Sequence, residues 1–75
     1  MLTLQKIRPG KTVTVLRVNG YGALKRRLME MGLTRGTRIT VRKSAPFGDP
    51  IEINLRSYSL TLRKADAAMI EVKQG

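Results

Sequence analysis

The sequence predicts a mainly β fold, a small antiparallel barrel of about five short strands with one short α-helix inserted after the first strand. Three observations lead to this fold class. Segments of alternating apolar and polar residues recur along the chain, Gly- and Pro-containing turns separate them, and helical periodicity occurs in a single stretch. Because 75 residues are few for a two-sheet sandwich, we expect residues 1–75 to form one barrel domain.

The predicted helix is defined by one apolar stripe and by the glycine that ends it. The stripe consists of residues at i, i+4 and i+7, which share one helix face: Leu24, Leu28 and Met31. We expect this face to be buried. Gly32 follows the stripe at a position where a left-handed C-cap favours glycine. Gly36 closes the next turn, after which the period changes to two.

The first strand is predicted at residues 11–18, and it carries a bulge. Pro9-Gly10, a dipeptide that favours a type II turn, separates it from a short edge segment at the N-terminus. Threonine and valine alternate up to Val15, but the parity breaks at Leu16, as it does where one extra residue is inserted into a strand. An Asn-Gly dipeptide then ends the strand and leads into the helix.

Four further strands complete the predicted sheet, at residues 38–43, 51–56, 60–62 and 69–72. Between them we expect a loop at 45–50, a turn at 57–59 and one helical or 3₁₀ turn at 64–68, followed by a frayed tail at 73–75. Glu52 is expected to face an arginine of the neighbouring strand. We expect the last strand to close the sheet. Five short strands with one early helix are the elements of an SH3-like barrel, and this is the fold that we predict.

Residue types that support catalysis or metal binding are scarce. The chain contains neither cysteine nor histidine, so the commonest transition-metal ligands and the usual general base are absent. Its five carboxylates occur singly, and its glycines do not have the spacing of a nucleotide-binding loop. We therefore predict no catalytic residues, no bound cofactor and no tight iron or calcium site made by this chain alone.

The strong positive charge predicts a partner with negative charge. Fifteen Lys and Arg against five Asp and Glu give a net charge of +10, which nucleic acid, an acidic protein surface and an anionic membrane surface would all attract. No apolar segment approaches the ~20 residues of a membrane span, and the N-terminus lacks the charged-then-apolar order of a signal peptide. We expect a cytoplasmic protein.

The outer face of the helix is the first candidate binding surface. Lys25, Arg26 and Arg27 form a run of cations on this face or at its border. A solvated face is the ordinary role of such a run, but cations near a helix N-terminus oppose the macrodipole, so helix stability does not explain them. Met29 would be an exposed, flexible apolar residue of the kind found at adaptable interfaces, although single exposed apolar residues are also common.

The three aromatic residues, Tyr21, Phe47 and Tyr58, are too few to line a groove for proline-rich peptides. Tyr21 stands at the start of the helix. Phe47 lies at a loop tip, where it either packs back onto the barrel or serves as a docking anchor, and the sequence leaves both alternatives open. The candidate partner-binding residues are Tyr21, Lys25, Arg26, Arg27, Met29 and Phe47.

Two segments and the loop between them carry a resemblance to a known family. They read RLxxMGLxxGT at residues 27–37, PFGDP at 46–50 and LxLRxxxAxMIxV at 60–72. With these motifs the chain resembles, over residues 4–72, the FeoA family of small cytoplasmic proteins of bacterial ferrous iron transport. The SH3-like C-terminal domains of iron- and manganese-dependent repressors look similar, but those are normally attached to a winged helix, and we expect none here.

The resemblance implies an SH3-like fold and an accessory role, without catalysis, toward FeoB, the large membrane GTPase-transporter. Association with the membrane would then come through that partner. The resemblance does not imply a metal site in this chain. The alternative from a different class is a small barrel that binds nucleic acid, which the net charge supports and the scarcity of aromatic side chains for base stacking opposes. A free-standing relative of the repressor domain is the other alternative.

Overall fold

The computed structural model describes residues 1–44 and 46–75, which form one antiparallel sheet, two short α-helices and two 3₁₀ turns. The strands are β1 (Thr12–Val18), β2 (Arg38–Ser44), β3 (Ile51–Asn54), β4 (Ser59–Leu62) and β5 (Ile70–Gln74). The helices are α1 (Gly22–Glu30) and α2 (Lys64–Ala67), and the 3₁₀ turns lie at Leu4–Lys6 and Pro46–Gly48. The predicted mainly β fold with one early helix is confirmed. Ala45, the first residue of the predicted loop, lies outside the described residues.

The sheet has the strand order β4-β3-β2-β1-β5 and is open, which corrects the expectation that the last strand closes it. β5 pairs with β1, and the ladder does not continue from β5 to β4 among the described residues. The N-terminal segment lies against the other side of β5, where the Val72 amide donates to the Leu2 carbonyl and Thr3 bridges Glu71. The expected N-terminal edge segment is therefore one isolated bridge followed by a 3₁₀ turn.

The core lies on one face of the sheet, its inner face, and α1 covers part of it. Each of the five strands contributes buried inward residues, and the segments outside the strands contribute Leu4, Leu28, Leu33, Leu55 and Ala67. Such a core follows from the alternation of apolar and polar residues in the strands, because successive strand side chains point to opposite faces. Leu24 and Met31 pack against this core at its border, so the predicted apolar stripe is confirmed.

The bulge predicted in the first strand is confirmed. The pairing of β1 with β5 shifts between Val15 and Arg17, which leaves Leu16 as the extra residue. A second irregularity, between Val41 and Lys43 of β2, was not expected from the sequence. The predicted cross-strand ion pair forms at this irregularity, with Nε of Arg42, the extra residue, 3.8 Å from Glu52 Oε1.

The chain terminus is ordered by pairing, so the prediction of a frayed tail at 73–75 is wrong. Lys73 and Gln74 continue β5 beside Thr14 and Val13 of β1. The Gly75 amide also donates to the Thr12 carbonyl. The sequence of the tail does not predict this order, because its hydrogen-bond partners are backbone groups of β1, a strand far away in sequence.

Candidate partner-binding surface

The position of α1 is fixed at both ends. At its start, the Asn19 amide donates to the Met69 carbonyl at 2.7 Å, and Gly20 takes φ +92° to turn the chain into the helix. At its end, Gly32 has φ +102°. The Gly32 amide donates to the Met29 carbonyl, and the Leu33 amide donates to the Leu28 carbonyl. These two bonds form a Schellman motif, and the predicted glycine cap is confirmed.

A second contact ties the end of α1 to the sheet. The Tyr58 hydroxyl, from the β3–β4 hairpin, donates to the Met31 carbonyl at 2.5 Å. The ring lies over Gly32, where a Cβ would overlap the hydroxyl. Tyr58 is 46% exposed, and its contact explains why a residue with no Cβ is needed there on steric as well as conformational grounds.

The outer face of α1 carries the predicted candidate residues. Arg26 and Arg27 are exposed, Lys25 is half-buried, and Met29 is 42% exposed. Tyr21 directly precedes the helix, is 90% exposed and makes no side-chain capping hydrogen bond. The structure thus brings together five of the six candidates, on α1 and at its start.

Lys25 and Met29 also line a groove that is not predicted by the sequence pattern. Its volume is roughly 350 Å³, and it lies between α1, the bulged end of β1 and the turn after the helix. The apolar part of its lining comes from Leu16, Val18, Met29 and Leu33, and the polar part from Arg17, Lys25, Thr34 and Arg35. The one available signal was the broken parity at Leu16, which leaves that residue half-buried at the groove.

The groove is electropositive. Arg17 Nε lies 3.4 Å from Glu71 Oε1, so its charge is partly compensated. Lys25 and Arg35 make no ion pair with another described residue. Two uncompensated cations above an apolar floor favour a ligand that combines carboxylates with apolar side chains.

The helix bounds correct one electrostatic expectation. Lys25 is the fourth residue of α1, but Arg26 lies in the middle of the nine-residue helix and Arg27 in its last turn. A cation in the last turn is favourable with respect to the macrodipole. The expectation that the cations oppose the macrodipole therefore holds for Lys25 and is wrong for Arg27.

Phe47 is not part of the surface formed by α1. It lies before β3, whereas the hairpin that contacts the end of α1 follows β3, so the two are at opposite ends of that strand. The Phe47 side chain is 97% exposed at φ +69°, which excludes the alternative that it packs back onto the barrel. The base of this loop is anchored where Asp49 accepts a hydrogen bond from the Lys64 amide.

Within residues 1–44 and 46–75, no three His, Cys, Asp or Glu side chains come close enough together to hold a metal ion. In the same part of the chain, no helix has the length and apolar character needed to cross a membrane. The outer face of α1 and the adjoining groove carry several cations and apolar groups, together with the exposed carboxylate of Glu30.

The FeoA domain family matches residues 2–74. The chain belongs to the FeoA domain family. Among relatives of this FeoA domain is the Fe(2+) transport protein A/Fe(2+) transporter FeoB fusion protein of Porphyromonas gingivalis, which is 38% identical over 72 residues. The match covers 96% of this chain but spans only 8% of the length of that relative.

Solved structures of FeoA proteins share the fold. The FeoA-like protein of Clostridium acetobutylicum is 38% identical, with a TM-score of 0.89, over 97% of this chain and 85% of that one. The zinc-complexed FeoA of Stenotrophomonas maltophilia is described as a prokaryotic SH3 domain protein. It is 23% identical, with a TM-score of 0.87, over 97% of this chain and 91% of that one. The SH3-like class predicted from the sequence is confirmed.

A manganese-dependent transcriptional repressor also contains this fold, with a TM-score of 0.88 at 24% identity over 99% of this FeoA domain and 41% of the repressor chain. At that identity the likeness concerns the fold alone.

Proposed function

We propose that this FeoA domain is a cytoplasmic accessory module of ferrous iron transport that binds the cytoplasmic part of a FeoB-type membrane transporter and has no catalytic activity of its own. The observation that carries the proposal is the relative in which a sequence 38% identical to this chain belongs to the same polypeptide as FeoB. Fusion keeps two domains at high effective concentration, which is of use when they act on each other.

The surface proposed for this contact is the outer face of α1 with its groove. Met29 offers an adaptable apolar contact, and Lys25 and Arg26 surround it with positive charge. The partner surface should therefore combine carboxylates with an apolar patch. Phe47, at the other end of β3, is the second candidate, as a separate anchor.

The test is binding and iron uptake by variants that keep the fold. Lys25→Glu with Arg26→Glu, and separately Met29→Asp, are expected to abolish capture of the transporter's cytoplasmic part and ferrous iron uptake in cells, with an unchanged melting midpoint. The matched control is Arg8→Glu with Lys11→Glu, which changes the net charge equally at two exposed positions before β1. Equal loss in the control would indicate a general charge effect.

Phe47→Ala completes the set. If both α1 variants retain uptake and binding while Phe47→Ala loses them, the contact belongs to the loop and the assignment to α1 is wrong. If none of the variants changes capture, neither surface makes the contact. If the wild-type chain does not capture the transporter's cytoplasmic part at all, the proposed function fails.

Nucleic-acid binding is the second candidate function, and the net charge of +10 is the observation in its favour. The three aromatic side chains do not form one stacking surface. Tyr21 and Tyr58 lie at opposite ends of α1, about 14 Å apart along its axis, and Phe47 lies at the far end of β3. Filter binding to random RNA at two salt concentrations tests this function, because loss of all binding at physiological salt would leave it without support.

A further inference from the structure

The outer edge of β4 presents backbone groups that nothing in the described chain uses. The Leu55 amide donates to the Tyr58 carbonyl, which makes these two residues a hydrogen-bonded pair. In an antiparallel ladder, hydrogen-bonded and non-hydrogen-bonded pairs alternate. The pairs of β4 with β3 then place Ser59 and Thr61 in non-hydrogen-bonded positions, with their N–H and C=O groups directed away from β3.

No described backbone or side-chain group hydrogen-bonds to this edge. The opposite edge of the sheet is different, because the N-terminal segment pairs with β5 through Leu2 and Thr3. Sheet edges left open are usually kept short or carry a charge, a proline or a bulge, each of which hinders pairing with another chain; β4, with four residues, has the first of these features. The sequence Ser-Leu-Thr-Leu of β4 has neither charge nor proline, and its four pairs with β3 run without a register shift.

The residues around β4 indicate the chemistry of a strand that could pair with it. Arg56 lies before the strand and Arg63 and Lys64 lie after it, all exposed and none in an ion pair with a described residue. Ser59 and Thr61 face solvent on the outer side of the sheet, and Leu60 is half-buried on the inner side. An added strand would place alternate residues beside these two faces.

We propose that the edge of β4 binds an extended partner segment of alternating apolar and acidic residues, which adds to the sheet as a sixth strand. Its apolar residues cover the exposed part of Leu60, and its carboxylates face Arg56 and Arg63. A second copy of this chain fits less well, because pairing β4 with β4 would bring these cations of two chains with a net charge of +10 together. That the segment belongs to the transporter rests on the proposed function.

A proline at position 61 tests the backbone contact directly. Thr61→Pro removes an outward N–H without removing a bond to β3, so the fold should be retained while strand addition is blocked. Thr61→Val is the matched control, because it keeps the N–H. The probe is a soluble octapeptide of alternating valine and glutamate, titrated into labelled full-length protein and followed by NMR at two salt concentrations.

The expected result is a set of shift changes centred on β4, with at least tenfold slower amide exchange at Ser59 and Thr61. We expect Thr61→Val to behave like wild type and Thr61→Pro to lose the effect, with binding weakened at high salt. No change at β4, or equal binding by a folded Thr61→Pro variant, would overturn the proposal. Dimers of the wild-type chain that Thr61→Pro dissociates would also overturn it, in favour of a second copy.

The transporter's cytoplasmic part is then tested with the same variants. If it binds wild type and Thr61→Pro equally, the β4 contact with the transporter is refuted while the proposed function stands. If it binds neither and the peptide binds β4, the proposed function fails and the edge remains a binding site for a different acidic strand.

Discussion

Gly32→Ala should destabilise the domain more than the same substitution at Gly36, although both glycines have positive φ. At φ +102° and +89°, a residue with a Cβ costs roughly 1–2 kcal/mol. A Cβ on Gly36 would meet nothing within 4 Å. On Gly32 it would overlap the Tyr58 hydroxyl and lie 3.3 Å from Leu55 Cδ2. The ring must then move and give up its hydrogen bond to Met31, worth about 1 kcal/mol net.

The expected losses are therefore about 2–3 kcal/mol for Gly32→Ala and about 1–2 kcal/mol for Gly36→Ala, measured as free energies of unfolding in urea. The difference is expected to shrink by about 1 kcal/mol in the Tyr58→Phe background, since the hydroxyl that meets the Cβ and its hydrogen bond are then absent and only the close contact with Leu55 remains. Equal losses at the two glycines, or a difference that is undiminished in that background, would refute the role given to Tyr58.

Two further predictions concern the chain terminus and metal binding. Deletion of residues 73–75 should lower the free energy of unfolding by about 1–4 kcal/mol, because it removes pairing with β1 and the Gly75 bond to Thr12; an unchanged urea midpoint would mean that the tail contributes nothing. Anaerobic calorimetry with ferrous iron should detect no site of micromolar or tighter affinity, since the described residues offer no cluster of three metal-binding side chains; a one-to-one micromolar site would contradict this argument.

The elements that sequence reasoning recovered are those whose cause is local. The stripe Leu24, Leu28 and Met31 and the cap at Gly32 are fixed by periodicity and by backbone conformation over a few residues. The break in the alternation of apolar and polar residues at Leu16 likewise predicted the bulge.

The features it missed depend on contacts between distant segments. The pairing of the tail with β1 and the irregularity in β2 are set by the partner strand and leave no mark in the local pattern. The groove required Arg17, Lys25 and Arg35 to meet from three elements. Exposure of Phe47 depends on where the loop goes, which a single loop sequence does not determine.

The bulge at Leu16 is a position where β1 holds one residue more than its pairing with β5 requires. Without this residue, Val15 and Arg17 would be consecutive, and their present partners Val72 and Glu71 already are. A chain one residue shorter could therefore keep every core pairing of β1, but it would lose the local twist that a bulge introduces and one apolar wall of the groove. An insertion or deletion among homologues could thus fall inside a strand here, and its effect would be to reshape a surface while the interior stays the same.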